Sequence, residues 1–191
     1  METIKKYKKL YLVDNNDKVI KAANWEEIYN KKNKFFTRVI HVWIFYKNKM
    51  LIQKRSNNLR LYPGFYESSA SGHVDFGESY SRAALRELKE ELGIKTKIYP
   101  IMKLKVKRLK NMCMLFIGFI GENDKKKIRI NKEEIQSIKF CTIKEIKKLI
   151  KNKRFTPSFE ELFKRFFNKK KNFCFKKTNK KVLEELNKIL N

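Results

Sequence analysis

The chain has 191 residues, 42% of them hydrophobic and 13% aromatic, which excludes a disordered tail and fits one domain with a small appendage. Lysine and arginine number 47 against 20 aspartates and glutamates, a net +27 that attracts anions, although a lysine-rich bias spread over the whole chain is its simplest origin. Cys113, Cys141 and Cys174 are widely spaced, no apolar run reaches membrane-spanning length and the N-terminus has no secretory pattern; together these predict a cytoplasmic protein without a membrane span.

Residues 7–13 and 18–23 are strand-like and flank the turn-forming Asp14-Asn15-Asn16-Asp17, predicting an N-terminal hairpin. Asn24 suits the cap of a short helix carrying Trp25, Ile28 and Tyr29. Residues 37–46 and 50–54 predict two strands joined at Lys47-Asn48-Lys49. His41 lies within the first apolar run, where a satisfied core histidine is the plainer reading. Lys54 and Arg55 close the second strand; Arg55 has the planar fork that engages two diphosphate oxygens. Phe65 and Tyr66 follow the Pro63-Gly64 turn and either pack beneath the loop or line a pocket.

The next stretch, Gly72 to Ile94, organises the chain. Its second half predicts an amphipathic helix from Ser79 to Leu92, closed by Gly93. Glu87, Glu90 and Glu91 stand at i, i+3 and i+4 on one face, while Leu85, Leu88 and Leu92 are expected to anchor another face to the core. Like charges at that spacing repel unless a cation sits among them, and hard divalent ions are held by carboxylates together with substrate phosphates.

Gly72, Glu78, Arg86, Glu87, Leu88, Glu90, Glu91, Gly93 and Ile94 match every fixed position of the Nudix box, so the segment resembles the signature of Nudix hydrolases. His41-Val42-Trp43-Ile44-Phe45, Gln53-Lys54-Arg55-Ser56 and Ser69-Ala70-Ser71-Gly72-His73-Val74 extend the likeness over residues 7–160, toward the branch related to isopentenyl-diphosphate isomerase. The resemblance implies Mg²⁺, or Mn²⁺ in its place, held by Glu87, Glu90, Glu91 and the Gly72 carbonyl. It further implies Glu90 or Glu91 as base and Arg86 orienting a box glutamate. Lys54, Arg55, Phe65, Tyr66, His41 and His73 are the expected substrate-side residues, and His41 and His73 match positions of metal-binding histidines in the isomerases. Those enzymes also place a catalytic cysteine where this chain has Ser71, and their second acidic motif is missing near 112–119.

Downstream, residues 95–107, 112–120 and 135–141 predict strands, with a loop at 121–125. Glu133 and Glu134 precede the last strand; the resemblance makes one of them a candidate to complete the metal set or serve as base, and a solvated strand entry is the simpler reading. Thr142 caps a helix bearing Ile143, Ile146, Leu149 and Ile150, and Pro157 opens another with Phe159, Leu162, Phe163 and Phe166 on its apolar side. The tail at 168–181 is lysine-rich with Phe173 and Phe175, followed by a helix at 182–190. A solvated appendage is its simpler role, and RNA binding through phosphates and stacking is the alternative.

The expectation is therefore an α/β protein with the Nudix fold, a mixed sheet sandwiched between helices. Residues 1–35 form a hairpin and short helix, 36–156 the hydrolase core and 157–191 a basic helical extension. The expected activity is Mg²⁺-dependent hydrolysis of a nucleoside-diphosphate-type or other small organic diphosphate. An isopentenyl-diphosphate isomerase-like enzyme and an RNA-associated binding protein are the alternatives, and a homodimer is expected from the family.

Overall fold

The computed structural model describes residues 9–30, 32–152, 154–168 and 180–190; Cys174 and most of the lysine-rich tail lie outside them. Alternating apolar residues in β3 (Phe36–Tyr46) build the sandwich directly. Val39, Trp43 and Phe45 enter one core cluster, and Ile40, Val42 and Ile44 enter the other. This strand is the hub of a mixed sheet of nine strands among the described residues. It pairs antiparallel with β1 (Leu10–Val13), β4 (Lys49–Arg55) and β6 (Ala70–His73), and parallel with β8 (Asn111–Phe119) over nine residue pairs.

The expected hairpin forms between β1 and β2 (Val19–Ala23). Its turn residue Asp17, at φ 66°, receives Arg38 Nε at 2.7 Å and the Tyr80 hydroxyl at 3.1 Å, which ties the hairpin to the sheet and to the start of the second helix. Asn24 caps α1 (Trp25–Ile28), its Oδ1 accepting the Glu27 N–H at 2.9 Å. Strand β7 (Ile98–Val106) pairs with β8, and β9 (Ile135–Cys141) pairs with β4. The segment 121–125, expected to be a loop, instead contributes four of the five residues of the short helix α3 (Glu122–Lys126).

Helix α2 (Tyr80–Leu92) has the predicted caps: Ser79 Oγ accepts the Arg82 N–H at 3.2 Å, and Gly93 takes φ 70°, where a side chain would be strained. Its buried face differs from the expectation. At about 100° per residue, Ala83, Ala84, Glu87, Leu88, Glu91 and Leu92 cover roughly half the circumference, and all six are buried. Leu85 falls just past that arc and is 45% exposed, so it does not anchor the helix. Two carboxylates thus sit in the middle of the face that packs on the sheet.

The opposite layer consists of α4 (Ile143–Lys151), α5 (Pro157–Asn168) and α6 (Lys180–Leu190). Thr142 and Glu145 form a reciprocal capping box on α4, whose Ile146 is buried. Phe159, Leu162, Phe163 and Phe166 of α5 pack on Trp43 with Phe155, and Val182 and Leu186 of α6 join the same cluster. At about 25 cal/mol per Å² of apolar surface, each such aromatic ring contributes a few kcal/mol as an upper bound.

A polar knot lies inside this apolar layer. Glu67, in the short strand β5 (Tyr66–Glu67), is buried; its carboxylate accepts the Ser68 N–H at 2.8 Å and the Thr156 hydroxyl, and lies 3.4 Å from His41 Nδ1. Burial alone would raise the Glu67 pKa, but the hydrogen bond and charge of His41, with the Thr156 and Ser68 donors, hold it below the ordinary 4.5. The unfolded chain therefore binds this proton more readily than the folded one, so the contribution is present above pH 4.5 and is lost as pH falls through the lowered value. Glu67→Ala should cost about 3 kcal/mol in urea unfolding at pH 7, and its stability should fall less steeply than the wild type's in acid. Parallel acid profiles for the two proteins would contradict this account.

Candidate metal centre

Strand β6 delivers Gly72 against the buried face of α2. A Cβ on Gly72 would lie 2.1 Å from Glu87 Oε1, so only glycine permits this approach. Glu91 stands one turn beyond Glu87 on the helix, its Oε2 accepting the Ser71 N–H at 3.1 Å and Gln53 Nε2 at 3.2 Å. The third member comes from the loop before β9. Asn131 N–H donates to the Glu91 carbonyl at 3.0 Å, Asn131 Nδ2 donates to Glu134 Oε1 at 3.3 Å, and Ser56 N–H donates to the Glu134 carbonyl at 2.9 Å.

Oxygens of Glu87, Glu91 and Glu134 consequently lie within 4.8 Å of one another. Oxygens bound about 2.1 Å from Mg²⁺ lie roughly 3–4 Å apart, so the set fits a hard divalent cation after a small adjustment. The electrostatics agree. Burial first, then the charges of Glu87 and Glu134, push the Glu91 pKa well above 4.5, against the Ser71 hydrogen bond and the Arg55 charge. A divalent ion would reverse that balance by neutralising the crowded charge.

Arg86 braces the centre from one side. Its Nη1 reaches Glu87 Oε1 at 2.6 Å and Glu90 Oε2 at 3.2 Å. Its Nη2 donates to the His73 carbonyl at 2.9 Å and to Glu78 Oε2 at 3.0 Å. Burial would lower its pKa, but the hydrogen bonds it donates to Glu78 and the charge of the Glu87 carboxylate outweigh burial and raise it. Glu90, on the rim of the helix, is engaged by Arg86 and stands outside the three-acid set, whereas Glu134 lies within it.

The other expected residues divide between two sides. Arg55 projects from β4 on the side of Gln53, and its charge acts on Glu91, His73 and Tyr29. The Tyr29 hydroxyl is 2.9 Å from His73 Nε2, and Trp25 packs edge-on to the same imidazole at 5.3 Å between ring centroids. Burial, reinforced by the charges of Arg86 and Arg55 against that of Asp75, pushes His73 down to about 4, so it is neutral at pH 7. Phe65 stays on the surface beside Tyr62.

Lys54 alternates to the opposite side from Arg55. Tyr66 packs on Phe155 in the α5 layer, and His41, 1% exposed, belongs to the Glu67 knot. These three are therefore not brought to the carboxylates. Tyr29 and Trp25 were read from sequence only as helix residues, with no signal to place them beside His73.

The NUDIX domain profile matches residues 35–166, and the chain belongs to the Nudix hydrolase family. It is 33% identical over 128 residues to an uncharacterized Nudix hydrolase of Listeria monocytogenes, covering 63% of this chain and 72% of that protein. It is 31% identical over 119 residues to a prenyl-diphosphate phosphatase of Methanosarcina mazei, covering 60% and 69%. A 62-residue match to Nudix hydrolase 3 of Arabidopsis thaliana, 40% identical, spans 31% of this chain and only 8% of that protein. The crystal structure of DR0079 from Deinococcus radiodurans superposes with a TM-score of 0.71 at 20% identity, covering 82% of this chain and 98% of that one, which shows the fold.

Gly72→Ala tests the close approach. The added methyl must displace the Glu87 carboxylate, so Mg²⁺ affinity, read by calorimetry, should fall at least tenfold while the circular dichroism spectrum is retained. Unchanged affinity would show that the Gly72–Glu87 contact does not shape the site.

Proposed function

We propose that this chain is a Mg²⁺-dependent hydrolase cleaving the diphosphate linkage of a nucleoside-diphosphate-type or other small organic diphosphate. The observation that carries this reading is the convergence of Glu87, Glu91 and Glu134 beneath a complete Nudix box. Those carboxylates, with the Gly72 carbonyl, would hold Mg²⁺ or Mn²⁺. The bound ion supplies charge that polarises a phosphoryl oxygen and offsets the negative charge gathering in the transition state.

The chain's own groups provide the rest. Glu91, whose buried carboxylate stands within the three-acid set, accepts a proton from the attacking water. Glu90, at the helix rim on Arg86, is the alternative base. Arg86 acts through the carboxylates it orients, and Arg55 engages the diphosphate oxygens. Neutral His73 sets the wall next to Gly72 without adding a cation. The activity named for the Methanosarcina relative supports a substrate in the organic diphosphate class. Hydrolysis is favoured over isomerisation because Ser71 contributes its backbone N–H to Glu91 and carries no thiol.

Cleavage of nucleotide, nucleotide-sugar and prenyl diphosphates can be followed by ³¹P NMR. Mg²⁺-dependent turnover of one class is the expected result. Glu91→Gln and Glu134→Gln should each lower it at least about a hundredfold, whereas Glu133→Gln, one position outside the cluster, should stay within about twofold. Near-wild-type turnover in Glu91→Gln would remove that carboxylate from the mechanism.

A further inference from the structure

Three buried side-chain atoms have no hydrogen-bond partner among the described residues: Thr37 Oγ1, His41 Nε2 and Gln53 Oε1. The last of these belongs to a residue that is hydrogen-bonded to the three-acid set. Gln53 follows Met50, Leu51 and Ile52 in β4, each 0% exposed, and is itself 1% exposed. A position of that burial is ordinarily apolar, and an apolar side chain there would leave no orphan. The amide instead carries a desolvated carbonyl without a donor, which costs stability. Among the described residues its side chain makes one hydrogen bond, from Nε2 to Glu91 Oε2 at 3.2 Å. That bond is the reason to keep a glutamine here.

Glu91 needs a partner of this kind. The terminal torsion of a glutamate is broad and roughly two-fold, so the helix sets where the carboxylate lies but not how its plane is turned. Two donors converge on a single oxygen, Ser71 N–H reaching Oε2 at 3.1 Å beside the Gln53 amide. A carboxylate oxygen offers about two acceptor sites, so those of Oε2 are taken and Oε1 is left. The Ser71 donor is a backbone group, present whatever side chain stands at that position. Gln53 is the half of the pair that the choice of side chain decides.

We propose that Gln53 is a positioning residue for the metal centre. With Ser71 it holds Oε2 of Glu91 and thereby turns Oε1 toward Glu87 and Glu134, where the three acids receive a divalent cation. The assignment rests on the metal-dependent hydrolase reading above. It adds to that reading a residue outside the box, kept for the cation although its carbonyl weakens the fold.

The test compares Gln53→Met, nearly isosteric but without the amide, with Thr37→Val, which removes a buried orphan hydroxyl on β3. Mg²⁺ affinity is read by calorimetry and stability by urea unfolding without metal. Gln53→Met should weaken Mg²⁺ binding roughly 10–100-fold, as expected for a group that orients a ligand, while its urea midpoint stays at or above that of the wild type. Turnover of Gln53→Met, on a diphosphate that the wild type cleaves, should climb back toward the wild-type kcat as Mg²⁺ is raised. Thr37→Val should keep its Mg²⁺ affinity within about twofold. Affinity within about twofold in Gln53→Met, or an equal loss in Thr37→Val, overturns the proposal. A lowered midpoint together with turnover that saturating Mg²⁺ does not restore makes Gln53 a structural residue and overturns it as well. Should the wild type bind Mg²⁺ yet cleave no diphosphate, the hydrolase reading is what fails, and the calorimetric comparison still judges Gln53. A wild type that binds no Mg²⁺ overturns both.

Discussion

Crowding negative charge onto the buried face of one helix is the constraint to which much of this molecule answers. Glu87 and Glu91 occupy the middle of the arc by which α2 packs on the sheet, a place where apolar side chains would stabilise the fold more. Several neighbours exist to make that placement tolerable. Arg86 spreads its guanidinium over Glu78, Glu87 and Glu90, Ser71 and Gln53 donate to Glu91, and Gly72 has no side chain to obstruct Glu87. None of these neighbours neutralises the three-acid set completely, since the Glu91 pKa remains raised by its surroundings. A site held short of charge balance in this way is prepared for a cation.

The sheet is split to reach this arrangement. Strands β3 and β4 pair only at Phe45–Met50 and Tyr46–Lys49, then part to admit β5 and β6. Ser69 stitches the fork, its Oγ accepting the Ile44 N–H at 2.8 Å and donating to the Leu51 carbonyl at 2.5 Å. The inserted segment carries Glu67 into the α5 layer and Gly72 toward α2 within a few residues. One short excursion thus anchors the start of α5 through Thr156 and sets the glycine against α2. The Glu67 knot explains why a buried histidine and carboxylate sit among phenylalanines without serving the centre itself.

What the sequence revealed follows from which interactions are local. Helix α2 was legible because its caps Ser79 and Gly93 and its box residues act within the segment, and the phenylalanine stripe of α5 was legible from its 3.6-residue period. Leu85 was misread because the leucines were taken to mark the buried face, when the arc that packs on the sheet is centred on Glu87 and Glu91 and ends at Leu92. The joining of Glu134 to Glu87 and Glu91 depends on a loop fastened by Asn131 and Ser56, contacts with no local pattern. Lys54 and Tyr66 lie next to useful residues in the chain but on the other side of the sheet, a distinction set by register. The resemblance supplied the chemistry of the box and could not supply the contact between Tyr29 and His73, which joins segments distant in the chain.

Among the described residues no helix is long and apolar enough to cross a membrane, and lysines and arginines give the whole chain a net charge of +27. A net charge of that sign attracts anions, in keeping with the diphosphate substrate proposed above. The most direct test is the anomalous diffraction signal of a crystal grown with Mn²⁺. The account predicts a peak within coordination distance of Glu87, Glu91 and Glu134 carboxylates and the Gly72 carbonyl. A peak held instead by Glu90 and Glu78 at the helix rim, or none at the three-acid set under saturating Mn²⁺, would contradict it.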